Sequence, residues 1–158
     1  MKILKIAGCF VLIVVILILA IDFYLLKIYK DPVISTLPEY EDKIFFEGGS
    51  GSGFTDYGKY IYKNDVDFSK NPYFKRVTED DIKILSEYEK IFASFLTKEY
   101  YKEDYDFSMS LADTQDYLYI ANRENKEAYS VYKGNFDAFD IYFYDTQGRT
   151  LYFMHSNI

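Results

Sequence analysis

The apolar positions change their spacing along the chain, and each spacing predicts a different element. From Ile6 to Leu26 they are continuous. These 21 residues hold one charge, Asp22, and no Pro, and Lys5 and Lys27 bracket them. A helix rises about 1.5 Å per residue, so the run predicts a helix of roughly 31 Å, the thickness of a hydrocarbon core. Asp22 and Tyr24 fall near its end, where an acid reaches headgroups and a tyrosine suits the interface. Lys2, Lys5 and the α-amino group precede the run, and Lys27 and Lys30 follow it. That small bias places the N-terminus in the cytoplasm. The expectation is an uncleaved signal anchor over residues 1–30. It makes a single-pass cell-membrane protein with the C-terminal part extracytoplasmic. A cleaved signal peptide is one alternative, although Ile18 stands where a small residue is preferred before Ala20. Lipidation within Ile6-Ala7-Gly8-Cys9 is another, but the apolar run follows that Cys instead of preceding it.

Further on the period becomes helical. Ile82, Leu85, Tyr88, Ile91, Phe92, Phe95 and Leu96 form a broad stripe, predicting a helix over Glu79–Thr97. Thr78 is a suitable N-cap, with Asp81 at the acid position of a capping box. Val77 and Ile82 have the spacing of a hydrophobic staple. Glu79, Asp80 and Asp81 suit the positive end of the helix dipole and Lys98 the negative end.

Elsewhere the period is two. Strands are predicted over Lys43–Glu47, Tyr57–Lys63, Tyr117–Ala121, Tyr129–Tyr132, Phe139–Tyr144 and Thr150–His155. Residues 48–53, rich in Gly and Ser, read as a flexible loop, and Asn64–Arg76 as a polar one. Arg123-Glu124-Asn125-Lys126 reads as a turn. Asp145-Thr146-Gln147-Gly148 reads as a hairpin turn with Gly148 at positive φ. Asp31–Tyr40, with Pro32 and Pro38, reads as an extended spacer (residues 31–40) before a domain at 41–158. The fold class expected is α+β. An N-terminal transmembrane helix precedes one main amphipathic helix packed on an antiparallel sheet of about five strands. Alternation sorts the strands into two faces. Leu118, Ile120, Phe139, Ile141, Phe143, Leu151 and Phe153 are expected to cover the helix. Tyr60, Tyr62, Tyr117, Tyr119, Tyr142, Tyr144 and Tyr152 are expected to form a tyrosine face. Tyrosine suits recognition surfaces, so this is the candidate binding face, unless a loop or the Tyr40–Glu47 segment covers it.

Charge narrows the function. Residues 31–158 carry 24 acidic and 14 basic side chains, a net of −10. Nucleic acid and anionic lipid would be repelled, so no nucleic-acid partner is expected. The single Cys is Cys9, so the expected outer domain has no disulfide, thiolate metal site or Cys nucleophile. A disulfide-free exported domain is compatible with a Gram-positive-type bacterial surface. The abundant Tyr, Ile, Lys, Phe and Asn match an AT-rich genome, which accounts for part of the 18 Tyr and 14 Phe.

Catalytic motifs fail on inspection. Gly48-x4-Gly53 has the spacing of a phosphate loop, but Phe54 replaces the Lys that would meet the β/γ-phosphates. No Gly-x-Ser-x-Gly elbow occurs. Asp65-x-Asp67-x-Ser69 opens like a calcium loop. Lys70 then replaces the turn glycine and Arg76 the bidentate Glu. His155 is the only histidine, so any His-dependent triad must use it, and multi-His metal sites are impossible. Carboxylate pairs such as Glu79/Asp80 and Asp113/Asp116 are too common to single out. No catalytic, cofactor or metal residue is assigned, and no cofactor is expected. The chain therefore reads as a membrane-anchored, non-enzymatic binding module for a protein or peptide partner. A protective, immunity-type protein against a secreted toxin is the alternative, and a surface hydrolase using His155 or a carboxylate pair is the third.

Overall fold

A computed structural model describes residues 14–17, 31–50, 53–96, 105–122 and 138–157. The chain divides into two units, Met1–Leu37 and Pro38–Ile158.

In the first unit, residues 14–17 are helical and exposed. The rest of Ile6–Leu26 lies outside the described residues. Among the described residues no helix is long and apolar enough to cross a membrane. This corrects the expectation of a transmembrane signal anchor. The membrane partnership, the single-pass topology and the extracytoplasmic localisation rested on that anchor and fall with it. So do the anchored forms of the binding, immunity and surface-hydrolase readings. The expected extended spacer contains a single 3-10 turn, Ile34–Thr36. Asp31 nucleates it, its Oδ1 accepting from the N–H groups of Val33 (2.8 Å) and Ile34 (2.9 Å).

Among its described residues the second unit is a six-stranded antiparallel sheet with one α-helix. The elements are β1 (Asp42–Ser50), β2 (Gly53–Ile61), β3 (Lys75–Arg76), α1 (Glu79–Phe95), β4 (Tyr117–Asn122), β5 (Ala138–Asp145) and β6 (Thr150–Asn157). Their order across the sheet is β1-β2-β6-β5-β4-β3. The expected count of about five strands was low because Lys75–Arg76, read as loop, pairs with Leu118 and Tyr117. Residues 48–53 are likewise mostly strand. Ser50 pairs with Gly53, so only residues 51 and 52 separate β1 from β2. The predicted turn at 123–126 and strand at Tyr129–Tyr132 lie outside the described residues.

Local chemistry builds α1 as its sequence implies. The Thr78 hydroxyl accepts from the Asp81 N–H (3.2 Å), and the Asp81 carboxylate accepts from the Thr78 N–H (3.0 Å). Lys75 on β3 adds an ion pair to Asp81 at 2.7 Å, joining the short edge strand to the helix start. Leu85, Tyr88 and Phe92 are fully buried. The helix ends at Phe95, two residues before the predicted Thr97.

The helix-facing side of the sheet carries Leu118, Ile120, Phe139, Ile141, Phe143, Tyr152 and Met154, with Tyr57 from β2. Here the expected faces need correction. Tyr152 and Met154 face the helix, while Leu151 and Phe153 share the other side with Tyr142 and Tyr144. The cause is the turn. Asp145 pairs with Thr150, so four residues form the loop and odd positions on β5 face even positions on β6. Since alternation has period two, this parity decides the whole face. The positive φ falls on Arg149 (50°), not Gly148. Gly148 suits the turn for another reason: a Cβ there would crowd the Asp145 carboxylate, whose Oδ1 accepts the Gly148 N–H at 2.9 Å.

Burial opposes ionisation of Asp81, but Lys75 and the Thr78 donors outweigh it and hold the carboxyl below its usual range. A depressed folded-state pKa stabilises the fold above about pH 4 and is lost as pH falls through the lowered value. Thr78→Ala should therefore cost about 1 kcal/mol in urea unfolding at pH 7. Asp81→Asn should flatten the loss of stability on the acid side of pH 4; an unchanged acid limb would show that Asp81 is not the group responsible.

Candidate functional site

Buried polar groups separate into two sets. At the hairpin end of the sheet each has a structural task. Asp116 Oδ1 accepts from the Thr146 N–H and Oδ2 from the Asp113 N–H, both at 2.9 Å, joining the start of β4 to the β5–β6 turn. Burial pushes the Asp116 carboxyl up, and the Asp113 and Asp145 carboxylates add to it against those two donors.

At the opposite end the sheet carries two adjacent rows. On the helix side, Thr55, Ser156, Phe139 and Asn122 stand side by side across β2, β6, β5 and β4. On the other side the row is Asp56, His155, Asp140 and Ala121. Thr55, Asn122, Asp140, His155 and Ser156 are all buried. His155 Nδ1 lies 2.5 Å from Asp140 Oδ1, with His155 3% and Asp140 6% exposed. The carboxylate fixes the ring orientation and favours the proton on Nδ1. Phe153, two residues back on the same face, stacks on the imidazole at 6.2 Å. Asp56 flanks His155 from β2 and accepts the Gly48 N–H at 3.4 Å.

An Asp–His pair is two-thirds of a hydrolytic triad. The third member would be a nucleophile on the same face. Ser156 follows His155 in the strand and so points to the opposite side. Among the described residues, the sheet positions around His155 on its own face include Asp56, Gly58, Ala138, Asp140, Tyr142, Phe153 and Asn157, none of them Ser, Thr or Cys. Among the described residues no three His, Cys, Asp or Glu side chains are placed to hold a metal ion. The Ser156 hydroxyl is buried without a hydrogen-bond partner among the described residues, as is that of Tyr62.

The predicted tyrosine face is filled by the chain itself. Tyr60, Tyr62, Tyr142 and Tyr144 are buried, and Tyr117 and Tyr119 half-buried, on the side away from α1. Tyr152 is buried on the helix side. The connection from β2 to β3 runs across the tyrosines as a strap. Phe68 stacks on Tyr117 at 4.4 Å and packs against Tyr144 at 4.9 Å. Tyr73 meets Tyr119 at 5.2 Å, and Phe74 meets Tyr119 and Tyr142. Arg149 pairs with Asp65 (2.7 Å), tying the strap to the β5–β6 turn. Burial, with the phenols of Tyr144 and Tyr40 nearby, pushes the Tyr62 hydroxyl well above its usual range. The partner-binding surface that the tyrosines were expected to offer is thus occupied internally, and the protein- or peptide-partner reading loses its support.

Sequence reasoning missed Asp140, Phe68, Tyr73 and Phe74. Asp140 had a signal: it is the one charge between Phe139 and Tyr144, a strand otherwise wholly apolar. The aromatic residues of the strap stand within a polar stretch without periodicity. No protein-family model matches this chain, and no curated protein and no solved structure matches it either.

Removing one partner of a buried hydrogen bond leaves the other unsatisfied at a cost of about 1–3 kcal/mol, more where that group is charged, whereas replacing both by apolar groups is often nearly neutral. His155→Leu and Asp140→Leu should each lower stability by about that amount, and the double variant should recover much of it. Denaturant unfolding of the four proteins measures the coupling; strictly additive losses would mean that the pair does not act as a unit.

Proposed function

We propose that this α+β domain performs no covalent chemistry and serves as a structural module. The observation that carries the reading is the position of His155. The chain has one histidine, and it lies inside the sheet against Asp140, with its adjacent hydroxyl, Ser156, turned to the other face. A general base has to reach the proton it removes, and a residue enclosed by Asp56, Asp140 and Phe153 is committed to the sheet.

Other reactive groups support the same reading. Tyr57 donates to Asp106 Oδ1 at 2.5 Å, and Lys59 reaches Asp106 Oδ2 at 2.6 Å. Tyr105 donates to Glu89 at 2.8 Å. These contacts fasten the segment after α1 onto β2 and the helix. Burial first, and then Asp106, pushes the Tyr57 phenol far above its usual range, so it remains a neutral donor at physiological pH.

The test is a turnover assay of the full chain at neutral pH with p-nitrophenyl acetate, butyrate, phosphate and β-glucoside. The expected rates equal buffer and are the same for the wild type and His155→Gln. Turnover that disappears in His155→Gln while the variant keeps its native circular dichroism would overturn the reading and establish His155 as a base.

A further inference from the structure

We propose that β1 pairs with β1 of a second copy of this chain, antiparallel, about a two-fold axis through Phe45. The proposal goes beyond the non-catalytic reading and does not depend on it.

Strand β1 is nine residues long and ends the sheet order, so among the described residues no strand pairs with its outer edge. Its backbone parity follows from the hairpin. Ser50 and Gly53 close a two-residue loop, and such loops are closed by a hydrogen-bonded pair. Even-numbered residues of β1 therefore aim their N–H and C=O groups at β2. Lys43, Phe45, Glu47 and Gly49 aim theirs outward. A second observation agrees: the Lys43 N–H is held by the side chain of its exposed neighbour Asp42, at 2.8 Å, and not by β2. Asp42 must release that group when a strand arrives.

Long exposed edges are usually blunted by charge, and here the charges are self-complementary. A two-fold pairing can centre on any residue of β1, but the centres differ in what they bring together. With the axis at Phe45, Lys43 of each copy faces Glu47 of the other. On the opposite side of the ribbon, Ile44 faces Phe46 of the other copy. Ile44 is 36% exposed, one of the few large apolar side chains left in water among the described residues of the second unit, and Phe46 is half-buried. Moving the axis to Lys43 or Glu47 sets like charges against each other. Moving it to Ile44 brings Glu41 against Glu47. With the axis at Phe46 the two charges no longer meet. Only the Phe45 axis joins both opposite-charge pairs and covers Ile44 with an apolar partner.

The edge is also stiff enough to act as a template. Phe45 crosses over Gly58 of β2, where a Cβ would lie 2.6 Å from the ring, and stacks on Phe153 of β6 at 6.1 Å. Lys43 lies over the Phe45 ring at 4.4 Å. Phe45 and Lys43 are therefore held against the sheet behind them.

The experiment mixes ¹⁴N- and ¹⁵N-labelled full chain and treats it with a carbodiimide, which joins an amine directly to a carboxylate. Along one strand Lys43 and Glu47 are about 13 Å apart, too far for such a bond. The expected product is a Lys43–Glu47 amide joining a heavy and a light chain. In sedimentation velocity over a concentration series, Lys43→Glu and Glu47→Lys should each weaken self-association roughly threefold to tenfold, and the double variant should restore it. Both positions are exposed, so the fold should survive each change, which circular dichroism verifies. A chain that stays monomeric overturns the proposal. So does association that ignores the single reversals, or that the double variant fails to restore.

Discussion

The pairing of β5 with β6 is the constraint on which the other features depend. Asp145 opposite Thr150 sets an even loop. That parity turns Tyr152 and Met154 toward α1 and Leu151 and Phe153 toward the strap. It also carries His155 to the face of Asp140 and leaves Ser156 on the other. A one-residue slip would separate His155 from Asp140, bury the imidazole against the helix and expose the apolar set. The turn is accordingly well held. Asp145 binds the Gly148 N–H, Asp116 binds the Thr146 N–H, Arg149 adopts positive φ, and Arg149 ties to Asp65 on the strap.

From that register follows a sheet buried on both faces by different means. One side uses α1, with Leu85, Tyr88 and Phe92 on Ile141, Phe139 and their neighbours. The other uses the β2–β3 strap, whose Phe68 and Phe74 pack on tyrosines. Aromatic pairs gain roughly 0.5–1.5 kcal/mol beyond area burial, so a segment without regular structure can cover a sheet face when several of its residues are aromatic. The tyrosines of the described sheet thus serve the interior. A phenol can bury its ring and still find a partner at its tip, as Tyr57 does with Asp106 and Tyr105 with Glu89.

What was legible in the sequence was local. Thr78, Asp81 and the 3.6-residue stripe define α1 because capping and amphipathicity act over a few residues. The alternation in β4 and β5 was legible for the same reason. What was not legible depended on count or distance. The faces of β6 follow from the parity of the hairpin, which the four-residue turn already implied; sorting the residues by type, apolar with apolar and tyrosine with tyrosine, put Leu151 and Phe153 on the wrong side. Gly48 and Gly49 suggested a loop but sit in a paired strand, because the hairpin is closed farther on by Ser50 and Gly53. The largely apolar run at Ile6–Leu26 has spanning length by composition, yet no described helix is long and apolar enough to cross a membrane. His155 was visible as the lone histidine, but its partner lay 15 residues away on a neighbouring strand.

The most direct test of the account is the β5–β6 register itself, measured from cross-strand nuclear Overhauser contacts of the full chain. The register described here predicts contacts between Ile141 and Met154 and between Phe143 and Tyr152 as directly opposed residues. Contacts that instead oppose Ile141 to Phe153 and Phe143 to Leu151 would contradict it, and would remove the basis for placing His155 beside Asp140.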